Sequence, residues 1–145
     1  MSGNDIKALA RRVLEEIFPA VDEAALAGAL SEDFVNHDAP PGTPPGPGSV
    51  AYIMRVLAGA FTDQRWTIHR VIAEGDTAVV HCTHSGRHTG EYFGLQPKGH
   101  DFAYEQMHMI RFIDGKGVEH WAVRDEATLM RQLTAEPAMA EPATI

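Results

Sequence analysis

Four segments between residues 65 and 124 alternate apolar and polar side chains with a period of two. RWTIHRVIAEG and GDTAVVHCTHSG meet at Glu74-Gly75-Asp76, and HDFAYEQMHMIRF and GVEHWAVR meet at Asp114-Gly115-Lys116-Gly117. Val, Ile, Thr and aromatic residues dominate these runs, and Asp beside Gly favours tight hairpins. The pattern predicts an antiparallel meander, with the excursion GRHTGEYFGLQPKG separating its two middle strands.

The residues ahead of the meander are spaced differently. Ile6, Leu9, Val13, Leu14 and Ile17 recur at helical intervals over residues 5–17, and Pro19 is expected to stop that helix. A second helix fits Asp22 to Leu30 with Asp22 as its N-cap. A third runs from about Ser49 to Phe61, with Ser49 as cap and Ile53, Val56, Leu57 and Ala60 along one face. Prolines at 40, 41, 44, 45 and 47 stiffen the loop before it. Residues 126–133 add a last short helix. Helices segregated from strands make an α+β fold. One domain over residues 1–133 is expected, with a flexible Ala/Pro/Glu-rich tail over 134–145.

Charge narrows the partners. The net charge of −8 and the absence of a Lys/Arg cluster argue against a nucleic-acid partner. No apolar run reaches the 18 residues a membrane span needs, so no membrane partner and a cytoplasmic location are expected. The single cysteine, Cys82, excludes an intrachain disulfide and a multi-cysteine zinc site. In its strand, Cys82 reads as a buried small hydrophobe.

Three pieces carry a resemblance: DFVNHDAP, SGRHTGEYFGLQPKG and IRFIDGKGVEHWAVRDEATLMRQL. Together they resemble the SnoaL-like polyketide cyclases and ester-cyclase-type proteins of the nuclear-transport-factor-2-like superfamily, over about residues 5–133. The resemblance implies a cone in which a curved antiparallel sheet wraps around helices and leaves one deep pocket. It also implies a homodimer formed through the sheet, and a small-molecule substrate handled without cofactor. Against the related ketosteroid isomerases, His108 falls at the position of an acid that hydrogen-bonds the substrate oxyanion. His37 falls at the position of the proton-shuttling carboxylate. The cyclases' aspartate base matches Ala122, which cannot accept a proton.

His37, His108 and His120 are therefore the candidate catalytic residues, since imidazole works as acid or base near neutral pH. His37 as base and His108 as donor is the first pairing to consider. Asp38, Tyr52, Tyr104, Gln106, Trp121 and Ala122 are the candidate substrate contacts, although Tyr52, Tyr104 and Trp121 serve equally well as wall, core or interface. Strand parity puts Gln106 and His108 on one face, and His120, Ala122 and Arg124 on one face. His81 and His84 have opposite parity, and either can face inward. Asp125 precedes a good helix and reads as its N-cap rather than as a base. No HExxH-type spacing accompanies the histidines, and no metal is expected. The function expected is an acid–base cyclase or isomerase of a carbonyl-activated polyketide or ester. The alternatives are a ligand-binding protein that lacks the base, and a hydrolase or dehydratase using the same pocket.

Overall fold

The structure, a computed structural model, describes residues 1–136. Most of the expected tail, from residue 137 on, lies outside the described residues. Five strands form one sheet in the order β1-β5-β4-β3-β2. They are β1 Leu30–Asn36, β2 Phe61–Glu74, β3 Thr77–His88, β4 Asp101–Ile113 and β5 Lys116–Arg124. The helices are α1 Gly3–Arg12, α2 Phe18–Ala20, α3 Glu23–Ala29, α4 Gly48–Ala60 and α5 Glu126–Thr134, and a π-helical turn, Val13–Ile17, joins α1 to α2. The α+β expectation and the antiparallel β2-β3-β4-β5 meander are what the chain adopts.

Three local expectations change. The strand β1 carries the polar run Ser31-Glu32-Asp33, and its register slips between Leu30 and Val35, so no clean alternation marks it. It pairs in parallel with β5 and makes the sheet mixed rather than wholly antiparallel. Pro19 does not end the first helix, which continues to Ala20 and breaks at Val21 with φ 53°. The π-helical turn widens the chain just ahead of Pro19, where a proline ring meets the preceding carbonyls. Ser49 does not cap α4. Pro47 occupies the N-cap position, and Ser49 Oγ donates back to Gly46 O at 2.7 Å.

Both aspartate caps form: Asp22 accepts from the Ala25 backbone N–H at 3.0 Å and Asp125 from that of Thr128 at 3.1 Å. The hairpin turns hold Gly75 at φ 60° and Gly115 at φ 80°, which glycine adopts without steric cost.

Alternation along β3 and β4 sets the two faces of the sheet. Ala78, Val80, Cys82 and His84 on β3, and Phe102, Tyr104, Gln106, His108, Ile110 and Phe112 on β4, are buried on the helix side. The same face receives Ile6, Ala10, Leu14 and Ile17 from the N-terminal helices, and Leu129 and Leu133 from α5. His84, not His81, therefore points inward, and Cys82 is fully buried.

Candidate active site

Between the sheet and the helices lies a cavity of about 320 Å³. Most of its wall is hydrocarbon, contributed by residues such as Leu14, Phe18, Phe34, Ile53, Leu57 and Phe112. A polar strip crosses it, made of Asn36 at the end of β1 and Asp38 just beyond it, Tyr104, Gln106 and His108 on β4, and His120 and Arg124 on β5. The register explains the strip. Asn36 pairs with His120 across the parallel edge, and His108 pairs with Ala122 across the antiparallel one. Inward-facing positions of three adjacent strands thus lie side by side.

These side chains are joined in series. Asn36 Oδ1 accepts the Asp38 backbone N–H at 3.1 Å, so it acts as acceptor toward His120 as well, whose Nδ1 lies 2.8 Å away. Nε2 of His120 lies 2.9 Å from Nδ1 of His108. Nε2 of His108 lies 2.7 Å from Oε1 of Gln106, and the Gln106 amide nitrogen lies 2.9 Å from the Tyr104 hydroxyl. Tyr104 continues to Nδ1 of His84 at 2.9 Å, and Nε2 of His84 reaches Gln64 Oε1 at 2.9 Å. His84 is also stacked on Trp66, with ring centroids 4.3 Å apart.

Proton counting distinguishes two states of this chain. With the Gln106 oxygen toward His108, Nε2 of His108 must carry a proton, and the histidine pair holds one positive charge. With the amide turned over, its NH₂ donates to His108 and Tyr104 donates to its oxygen, and both imidazoles are neutral. Burial favours the neutral state. It pushes His120 down to about 4, helped by the Arg124 charge, and His84 down to about 3 for the same reasons. Burial, then His120 and Arg124, hold His108 well below the ordinary imidazole range. Burial pushes the Tyr104 phenol up and the Cys82 thiol up to about 12. In either state all four ring nitrogens of His108 and His120 are engaged by protein groups.

Arg124 and Asp38 form an ion pair at the cavity wall, each side chain 21% exposed. Glu126 also lines the cavity, from the exposed first turn of α5.

Of the residues expected from sequence, His108, His120, Asp38, Tyr104 and Gln106 line the cavity. His37 and Trp121 do not. Their rings stack at 4.7 Å, and His37 Nε2 lies 2.9 Å from Glu119 Oε2. Glu119 and Trp121 have the opposite parity to His120, and Trp121 pairs in register with Met109, 38% exposed, on the outer face of the sheet. Tyr52 is also absent from the cavity wall, to which α4 contributes Val50, Ile53 and Leu57. Ala122 has the inward parity, but its methyl is not part of the wall. Asn36 and Arg124 are site residues that the sequence reading did not select. Once β1 is recognised as a strand paired with β5, Asn36 falls beside His120, and strand parity sets Arg124 on the same face as His120.

Among the described residues no three His, Cys, Asp or Glu side chains are placed to hold a metal ion. No helix among them is long and apolar enough to cross a membrane.

Comparison with known proteins agrees with this architecture. Residues 8–133 match the family model described as SnoaL-like polyketide cyclase. The chain is 29% identical over 89 residues to nogalonic acid methyl ester cyclase of Streptomyces nogalater, a match covering 61% of this chain and 66% of that protein. It is 44% identical over 48 residues to aklanonic acid methyl ester cyclase AcmA of Streptomyces galilaeus, covering 33% of each. The chain thus spans less than two thirds of the length of these curated relatives. The structure of TsrD from Streptomyces laurentii superposes with a TM-score of 0.84 at 25% identity, covering 94% of this chain and 99% of TsrD.

Proposed function

Because this chain belongs to the SnoaL-like polyketide cyclases, we propose that it catalyses cofactor-independent acid–base chemistry, a cyclisation or isomerisation, on a carbonyl-activated polyketide or ester. The observation that carries this reading is the polar strip in an otherwise hydrocarbon cavity. An apolar wall holds the body of a carbon skeleton, and a few convergent polar groups orient one carbonyl edge. Donors in the strip (the Asn36 amide, the Gln106 amide, the Arg124 guanidinium) suit an oxygen that gains negative charge as a neighbouring carbon loses its proton. The substrates in the names of the two cyclase relatives are methyl esters, and an ester of that kind is the class proposed here.

A second reading has support of its own. The ring nitrogens of His108 and His120 are all engaged, and Ala122 offers no base, as a pocket that only binds would have it. Deuterium exchange separates the two. In D₂O, methyl benzoylacetate, an aryl β-keto ester, loses its C2 proton to solvent. Exchange accelerated above the buffer rate is the result expected of the catalyst. Tight binding of this ester with no acceleration would leave the binding protein.

The proposed assembly is a homodimer through the outer face of the sheet, where Met107, Met109 and Val123 are exposed on adjacent strands. Light scattering tests it, with a monomer at micromolar concentration ruling it out. The free, buried Cys82 is compatible with a reducing cytoplasm as the site of action.

A further inference from the structure

We infer that Asp38 is the proton acceptor of this site and that Arg124 is the residue that positions its carboxylate. The inference rests on the acid–base reading above and names the base that reading needs. A base must offer a free lone pair to the substrate. His120 has none, with Nδ1 committed to Asn36 and Nε2 to His108. His108 has none either, with Nδ1 on His120 and Nε2 on Gln106. The Tyr104 hydroxyl is buried between His84 and Gln106. His37 lies on the other face of the sheet, against Trp121 and Glu119. Two carboxylates remain on the cavity wall, and Glu126 belongs to the exposed first turn of α5.

Asp38 is held from both ends. Its backbone N–H is fixed by Asn36 Oδ1, the same oxygen that accepts from His120. Its carboxylate is paired through one oxygen, Oδ2, with Nη1 of Arg124. The other oxygen makes no hydrogen bond among the described residues, and a carboxylate oxygen accepts without needing to turn. The position follows from the turn that ends β1. Ala39 N–H closes onto Asn36 O at 3.3 Å, and Asp38 within that turn meets Arg124 on β5. Arg124 lies two residues beyond Ala122, on the same face of the strand, so the chain after β1 delivers a carboxylate close to where β5 itself carries only a methyl.

The step is balanced without a co-reactant. The carbon between two carbonyls loses its proton to Asp38, the C–H electron pair moves into the adjacent carbonyl, and an enolate oxygen forms. Asp38, now a carboxylic acid, returns the proton to the product.

The test measures C2 exchange of methyl benzoylacetate in D₂O, with binding of the same ester and thermal melting measured in parallel. Asp38→Asn, which keeps shape and can still meet Arg124, is expected to lose at least about 100-fold in kcat with KM within about threefold. Asp38→Glu is expected to keep more activity than Asp38→Asn. In the Asp38→Asn background, Ala122→Asp, with the inward parity of β5 and two residues before Arg124, is expected to recover at least about tenfold by returning a carboxylate near that guanidinium. Exchange by Asp38→Asn within threefold of the parent overturns the assignment and leaves the acid–base reading standing. Failure of both Asp38→Glu and the double variant to exceed Asp38→Asn also overturns it, since Asp38 would then act only through structure. If the parent protein gives no acceleration, the acid–base reading falls and this assignment falls with it.

Discussion

The side-chain oxygen of Asn36 accepts Nδ1–H of His120 at 2.8 Å while also accepting the backbone N–H of Asp38 at 3.1 Å. One amide therefore sets the tautomer of a buried imidazole and the entry of the chain into the cavity wall. Asn36→Ala leaves two donors without an acceptor, one of them on a largely buried ring. A loss of about 1–3 kcal/mol in denaturant unfolding is expected, with C2 exchange slowed about tenfold. An unchanged exchange rate would mean that the Asn36 link has no part in the chemistry.

Stability should fall as the solution is acidified from neutrality. The unfolded histidines titrate near 6.5, whereas in the folded chain burial pushes His84 down to about 3 and His120 down to about 4, and His108 is lowered too. Below about pH 6.5 the unfolded chain therefore takes up protons that the folded chain refuses. Each such group costs the folded state about 1.4 kcal/mol per pH unit until its folded value is reached. Urea unfolding at pH 7, 6, 5 and 4.5 should show the decline, and His84→Gln should flatten it. A flat profile for the parent would show that these rings take up protons in the folded chain as readily as in the unfolded one.

His37→Ala should leave exchange within about twofold of the parent, because catalytic losses follow removal of groups that touch the reacting atoms. The ring stacks on Trp121 and meets Glu119, outside the cavity. A loss beyond tenfold would bring His37 back as a catalytic residue.

Asp125→Ala removes the N-cap of α5, whose carboxylate accepts from both the backbone N–H and the hydroxyl of Thr128. Tm is expected to drop by about 2–4 °C with exchange unchanged. Lost exchange at unchanged Tm would make Asp125 part of the chemistry instead.

Gly90→Ala is expected to open the lip of the cavity. A Cβ there would stand 2.0 Å from the Gly59 carbonyl oxygen, and the backbone N–H of Gly90 is bonded to Ala60 O at 2.9 Å. The segment must move away from the end of α4, taking with it Tyr92 and Phe93, which line the cavity. Destabilisation of about 1–3 kcal/mol is expected, with weaker binding of methyl benzoylacetate. Unaltered binding would detach this segment from the pocket.

The parts of the fold legible in the sequence are those where one physical signal acts alone. Alternation in DFAYEQMHMIRF and Gly-Asp turns defined β4 and both hairpins, and the same alternation put Gln106 and His108 together on the buried face. The strand β1 was not legible, because its polar residues and register slip hide a pairing that only the distant β5 completes. That gap carried over to the site. Without β1 nothing links Asn36 to His120, and His37, the residue with the most familiar chemistry, reads as the base while Asp38 stands only among the substrate contacts. Trp121 was placed among the substrate contacts although its parity with Glu119 set it on the outer face. The inward turn of His84 could be read only once β3 was packed against helices.

The π-helical turn at Val13–Ile17 bears on how the N-terminal helices tolerate insertions and deletions. Ile6, Ala10, Leu14 and Phe18 are buried at strict intervals of four residues. An ordinary α-helix advances about 400° over four residues, so such a row would creep around the axis by about 40° at each step. A wider turn takes up part of that creep and keeps Leu14 and Phe18 over the cavity. Shortening the turn by one residue would restore ordinary pitch and swing everything ahead of it by about 100°. Ile6 and Ala10 would then face solvent, while a substitution at any one of these positions would leave the row in place.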